Sequence, residues 1–191
     1  MKVPVRILHP FIPPLAVLLM ASGSAGAQGV LIDRSEIRFV SKQMGINVEG
    51  KFRRWKANVD FKPADLARSR ADFEIDLASV ALGSEEAETV VKRPRWFDTS
   101  KFPLAKFEST GLKALGDNRY EIAGTLTLKG QSRDIAIPVL MKRDPAGNEV
   151  AEGAFTLQRL DFNLGDGQWA DPDVVADDVQ VKVKMVLPRA A

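Results

Sequence analysis

Apolar and polar residues alternate along most of this chain with a period of two, the pattern of half-buried strands. Ile37, Phe39 and Ser41 oppose Glu36, Arg38 and Lys42, and Gly45 punctuates the run. Ile46, Val48, Gly50 and Phe52 continue it. Ala57, Val59 and Phe61 then resume with the parity shifted by one, which predicts a bulge near Arg53-Arg54, and Pro63 ends the segment. Phe73, Ile75 and Leu77 alternate with acids to give a third strand, and Leu104 to Ser109 gives a fourth, extended by Gly111 to Leu115. Gly116-Asp117-Asn118 predicts a hairpin turn into the clearest strand, where Tyr120, Ile122, Gly124, Leu126 and Leu128 share one face. Lys129-Gly130 turns the chain into Ile135, Ile137, Val139 and Met141, with Pro138 pointing to an edge or a bulge. Asp144 to Asn148 is a further turn. Ala151, Gly153, Phe155 and Leu157 form another strand, Arg159 to Trp169 is irregular, and Val179, Val181, Val183 and Met185 define the last.

About eight strands, nearly all with antiparallel neighbours, predict an all-β domain. A closed sheet of that size either fills its interior or holds one small ligand. A sandwich fits the same pattern, but glycines on inward faces at Gly50, Gly124 and Gly153 favour a barrel, because small residues there open a lumen or permit sharp bends.

One stretch breaks the alternation. Between Leu82 and Thr110, Ser84 can cap a helix whose first turn carries Glu85 and Glu86, and Pro94 stops it soon after Val91. Trp96, Phe97, Phe102 and Phe107 follow, an aromatic surface too apolar to leave in water at roughly 25 cal/mol per Å². These rings are expected to close one end of the barrel, as a fixed plug or as a lid that moves to admit a ligand.

Composition narrows the chemistry. Lys2 and Arg6 precede a short apolar run broken by Pro13 and Pro14, and Ala25-Gly26-Ala27 is a cleavage signature, so residues 1–27 read as a signal peptide and 28–191 as one exported domain, destined for the periplasm. Of 27 basic residues, Lys2 and Arg6 leave with that peptide, so the rest balance the 25 acids and no basic field points to nucleic acid. Cysteine is absent and the one histidine, His9, lies in the leader. Thiol catalysis, Ser-His-Asp triads and zinc chemistry are therefore excluded from the exported domain, and an enzyme would have to rely on carboxylates, Lys or Tyr120.

Six segments in order carry a family likeness: Asp33 to Phe39; Gly50-Lys51-Phe52; Ser79-Val80; Trp96-Phe97-Asp98 with Lys101 to Phe107; Gly124 to Gly130; and Arg159 to Phe162. On these the chain resembles the YceI-like family of secreted polyisoprenoid-binding proteins with a lipocalin-like barrel. The resemblance implies an eight-stranded antiparallel barrel with a short helix and aromatic segment near one end, a non-catalytic function, no covalent cofactor, and a lumen that takes an isoprenoid lipid or quinone. Gly165 to Asp171 resembles a subgroup linked with membrane cytochromes, which implies an accessory role beside a membrane oxidoreductase as the alternative. A homodimer is compatible with either. Where many members have a histidine after the first strand this chain has Gln43 and Met44, so any head-group preference that depends on that histidine is not implied here.

The candidate lumen residues are Phe39, Phe52, Phe73, Ile75, Trp96, Phe97, Phe107, Leu126, Leu128, Ile137 and Phe155. Periodicity alone favours a filled core, and the resemblance is what turns some of these positions towards a ligand. Arg159 and Asp161 read as a structural pair near barrel closure, and the acids Asp166, Asp171, Asp173, Asp177 and Asp178 as a solvated loop whose spacing fits no EF-hand.

Overall fold

A computed structural model describes residues 29–189, so the signal-peptide reading of residues 1–27 lies outside the described residues. Ten strands and one α-helix follow in the order β1 Glu36–Gln43, β2 Ile46–Phe52, β3 Trp55–Asp60, β4 Arg70–Asp76, β5 Val80–Ala81, α1 Glu85–Val91, β6 Leu104–Gly116, β7 Arg119–Leu128, β8 Gln131–Arg143, β9 Glu149–Gln158 and β10 Asp178–Leu187. All are antiparallel in one sheet of order β3-β4-β6-β7-β8-β9-β10-β1-β2-β5.

The all-β class is as the alternation predicts and the barrel as the resemblance implies, with ten strands in place of eight because two of the expected strands are each broken once. β3 continues β2 after Arg53-Arg54, where the parity shift placed a bulge, and β5 continues β4 after a single 3-10 turn at Leu77–Ser79. The two ends of the sheet are thus parts of one bent hairpin, and the sheet curls round until that hairpin closes it.

Ser79 holds the bend. Its hydroxyl accepts from the Arg54 N–H at 3.0 Å and donates to the Asp76 carbonyl at 2.6 Å, while Arg53 N–H donates to the Ser79 carbonyl at 3.1 Å. The Arg54 guanidinium meets Asp76 through Nε and Nη2 at 2.9 and 2.8 Å. That ion pair is solvent-exposed and contributes little, whereas the Ser79 hydroxyl is buried. Ser79→Ala is expected to cost about 1–3 kcal/mol by leaving the Arg54 N–H without its partner. A urea midpoint equal to the parent's would show that the seam does not depend on this hydroxyl.

Turn chemistry sets the register. The β1–β2, β6–β7 and β7–β8 hairpins each use two left-handed residues, Met44-Gly45, Asp117-Asn118 and Lys129-Gly130, the twist that two-residue hairpins require. Pro138 sits where the β8–β9 ladder stops, since that pairing runs only from Val139 to Arg143.

Gly153 borders the interior as expected, but Gly50 and Gly124 act differently from the expectation. At Gly50 the ring of Phe39, its cross-strand partner, occupies the space a side chain would take. At Gly124 a Cβ would stand 2.6 Å from the Glu108 carbonyl oxygen and against the Phe107 ring. These glycines seat aromatic rings on the sheet and leave the lumen to be set by other residues.

Candidate ligand-binding site

Alternation aims one face of each strand at the barrel axis, but the strands converge unevenly and the interior is not filled. A cavity of about 560 Å³ occupies the end formed by α1, the β1–β2 hairpin and the 164–176 segment. A second space of about 100 Å³ lies towards the opposite end. Ile37, Ile75, Leu126, Phe155 and Val181 line both, forming a waist between them. The smaller space has only apolar side chains and Gly153 around it. Polar groups are confined to the larger, where Ser41, Gln43, Ser84 and Glu86 stand with Arg38 and Arg159. Ser84 and Glu86 are exposed, so the larger cavity reaches the surface beside α1.

All eleven residues selected from the alternation and the resemblance border this interior. Phe39, Phe52, Trp96, Phe97 and Leu128 line the larger space, Phe73, Phe107 and Ile137 the smaller, and Ile75, Leu126 and Phe155 both. Phe39, Phe52 and Phe97 form a run of tilted rings with centroids 5.6 and 6.1 Å apart, leading from the barrel wall to the segment behind α1. The Phe97 N–H donates to the Val91 carbonyl and the Trp96 N–H to the Arg93 carbonyl, both at 2.9 Å, which fixes both rings to the end of the helix.

Sequence reasoning passed over two parts of the wall. One is α1 itself. Ser84 caps it as expected, its hydroxyl accepting from the Ala87 N–H, and Ala87, Val90 and Val91 all line the cavity. Their i, i+3, i+4 spacing was the available signal. Glu88 fastens the helix to the barrel, accepting from the Leu82 N–H at 3.1 Å with Arg53 at 3.6 Å. The other part is Leu164, Trp169 and Val175, from irregular chain that carries no period to read.

Arg159 organises that irregular chain. It is 1% exposed, and all five of its N–H donors reach main-chain carbonyls: Nε to Ala176 at 3.1 Å, Nη1 to Leu164 and Gly165 at 2.6 and 3.1 Å, and Nη2 to Trp169 and Val175 at 2.7 and 2.6 Å. The role is structural as expected, but the partner is corrected: Asp161 is exposed and makes no ion pair with Arg159 among the described residues. Loop closure places carbonyls around the guanidinium, and Asp161 points to solvent from a 3-10 turn. Burial pushes the Arg159 pKa below its ordinary value, and the Asp177 carboxylate opposes that shift. Trp96 stacks over the guanidinium at 5.9 Å and packs on Trp169 at 6.0 Å. With every donor committed, Arg159 shapes the mouth without offering a hydrogen bond to a ligand. Among the described residues no group of acids has the arrangement of a metal site.

A mostly apolar, tapering lumen with polar groups at one end suits an elongated amphiphile, its tail directed inward. Known proteins share this architecture. The crystal structure of BcnA from Burkholderia cenocepacia superposes with a TM-score of 0.80 at 36% identity, over 83% of this chain and 99% of that one. A polyisoprenoid binding domain from Saccharophagus degradans, implicated in plant cell wall breakdown, matches with a TM-score of 0.67 at 18% identity, over 84% and 97% of the two chains, a likeness of fold. A UPF0312 protein of Pseudomonas syringae pv. tomato is 29% identical over 182 residues, covering 88% of this chain and 95% of its own. Residues 31–187 match the YceI-like domain, and the chain therefore belongs to the YceI-like family.

Proposed function

We propose that the protein is a non-catalytic carrier that holds the tail of an isoprenoid lipid, a polyprenyl chain or an isoprenoid quinone, inside the barrel. The observation that carries this reading is the division of the lumen: the inner space is bounded by apolar side chains and a glycine, and polar side chains border only the larger cavity, which reaches the surface. An isoprenoid tail needs no hydrogen-bond partner, and each methylene removed from water contributes about 0.8 kcal/mol. The polyisoprenoid-binding description of the Saccharophagus degradans domain supports the same ligand class. Residues 28–191 contain neither His nor Cys, which leaves little for acid–base or nucleophilic chemistry. Lys2, Arg6 and Ala25-Gly26-Ala27 support export to the periplasm, where such a lipid needs shelter from water.

Protein purified without detergent or delipidation, extracted with organic solvent and analysed by mass spectrometry, is expected to release a prenyl lipid in near-stoichiometric amount. Protein that yields none, and that takes up none when offered a prenyl quinone, would end the carrier reading. The accessory role beside a membrane oxidoreductase rests on the Gly165–Asp171 likeness, and reproducible co-purification of such an enzyme from membranes is the result that would support it.

A further inference from the structure

The tip of the β1–β2 hairpin combines two features that the barrel itself does not need. Met44 takes the first left-handed position of the turn, φ 47°, where Asn or Gly is the ordinary choice. Met44 and Ile46 each leave 70% of their surface in water, while no other large apolar side chain among the described residues exceeds the 49% of Leu115. A single exposed apolar residue is unremarkable, but two on one tight turn form a protruding apolar point.

The point is held firmly and stands at the mouth. Met44 N–H donates to the Val174 carbonyl and Ala176 N–H to the Lys42 carbonyl, both at 2.9 Å, with Gln43 bridged to Val175 between them. Gln43 and Val48, on the same hairpin, line the larger cavity, as does Val175. Of the other exposed apolar side chains among the described residues, Leu115, Leu140 and Ile32 belong to the opposite end of the barrel, and Leu104, 39% exposed, starts β6 away from the hairpin tip.

We propose that Met44 and Ile46 insert into the surface of a lipid bilayer and bring the cavity mouth against it, so that a membrane-resident tail passes between bilayer and barrel without crossing water. This deepens the carrier reading and rests on it for the identity of the cargo. A bilayer is the occupant the tip fits. Two side chains supply only a small part of the roughly 1,000 Å² that a specific protein contact buries, yet shallow insertion of a few apolar groups suffices for weak, reversible membrane attachment. Charge argues for an apolar contact: exposed Asp171, Asp173, Glu85 and Glu86 lie at this end together with exposed Lys42, Arg93 and Arg95, so no basic field favours anionic lipid.

Protein expressed from the full-length chain is floated with phosphatidylcholine vesicles and, separately, with vesicles also containing phosphatidylglycerol. The wild type is expected to float with both. Met44→Ser with Ile46→Ser is expected to weaken partition at least tenfold, whereas Leu115→Ser at the far end leaves it unchanged. The double variant should retain the parent's melting temperature and slow the transfer of bound prenyl lipid into vesicles. Equal partition of wild type and double variant, or flotation only with phosphatidylglycerol, would overturn the proposal. So would a concentration-dependent dimer abolished by the double variant without vesicle binding, which would assign the tip to a second copy of the chain. Vesicle binding lost in the double variant of a protein that holds no prenyl lipid would uphold the docking tip and remove the carrier reading, so the two fail separately.

Discussion

Replacing Arg159 with methionine is expected to unfold the mouth of the barrel and to cost about 5 kcal/mol or more, a large fraction of the 5–15 kcal/mol that stabilises a typical domain. Five carbonyls, those of Leu164, Gly165, Trp169, Val175 and Ala176, lose their donors at once, and the three fully buried ones, Leu164, Gly165 and Val175, cost about 1–3 kcal/mol each when orphaned. Removing a buried cation also removes its desolvation penalty, and in buried ion pairs that gain often wins. Here it does not. The partners are main-chain atoms, which stay when the side chain goes, and no single apolar residue can satisfy them. Lysine offers three donors from a point charge and is expected to recover only part of the loss. Chemical denaturation gives the magnitude, and hydrogen exchange localises it to the 164–176 segment. A methionine variant with the parent's midpoint would contradict the assignment of Arg159 as the post around which that segment is wound.

Filling the larger cavity from Ala105 is expected to have the opposite signature: binding lost and fold kept. Ala105 is buried on β6, pairs with Ile75, and lines the larger space. Ala105→Phe projects a ring into that space without displacing main chain, unlike any side chain at Gly124. Displacing about five methylenes of bound tail, at about 0.8 kcal/mol each, weakens binding roughly a thousandfold. The melting temperature should hold or rise, because filled space gains dispersion contacts that a void lacks. Ala154→Phe, on the exposed face of β9, is the control and should leave lipid occupancy unchanged. Full occupancy in Ala105→Phe would show that the tail lies elsewhere. An unfolded Ala105→Phe would show that the space around Ala105 cannot admit a ring.

The two substitutions separate the layers of this molecule. Arg159 holds the chain that frames the opening, while Ala105 faces the space behind it. The carrier reading needs the frame rigid and the space vacant. The hairpin tip at Met44 and Ile46 is tied to the same framed segment through Val174, so loss of Arg159 should weaken vesicle attachment as well.

What the sequence determined by itself was local and periodic. Alternation named the strand faces, the Arg53-Arg54 parity shift located the bend that closes the barrel, and Ser84, Glu85 and Pro94 bounded α1, because each of these signals is read from neighbours within a few residues. The eleven candidate lumen residues came from that alternation and from the family likeness together. Only the tertiary structure decided whether those inward faces meet each other or surround a space, since sequence fixes which way a side chain points and barrel curvature fixes how far it is from the opposite wall. The same holds for Gly50 and Gly124, whose neighbours Phe39 and Phe107 fill them from across the sheet. It holds most for Arg159: its five partners are main-chain oxygens scattered over residues 164–176, which carry no side-chain identity for a sequence pattern to reveal, and they surround it only once the loop has closed.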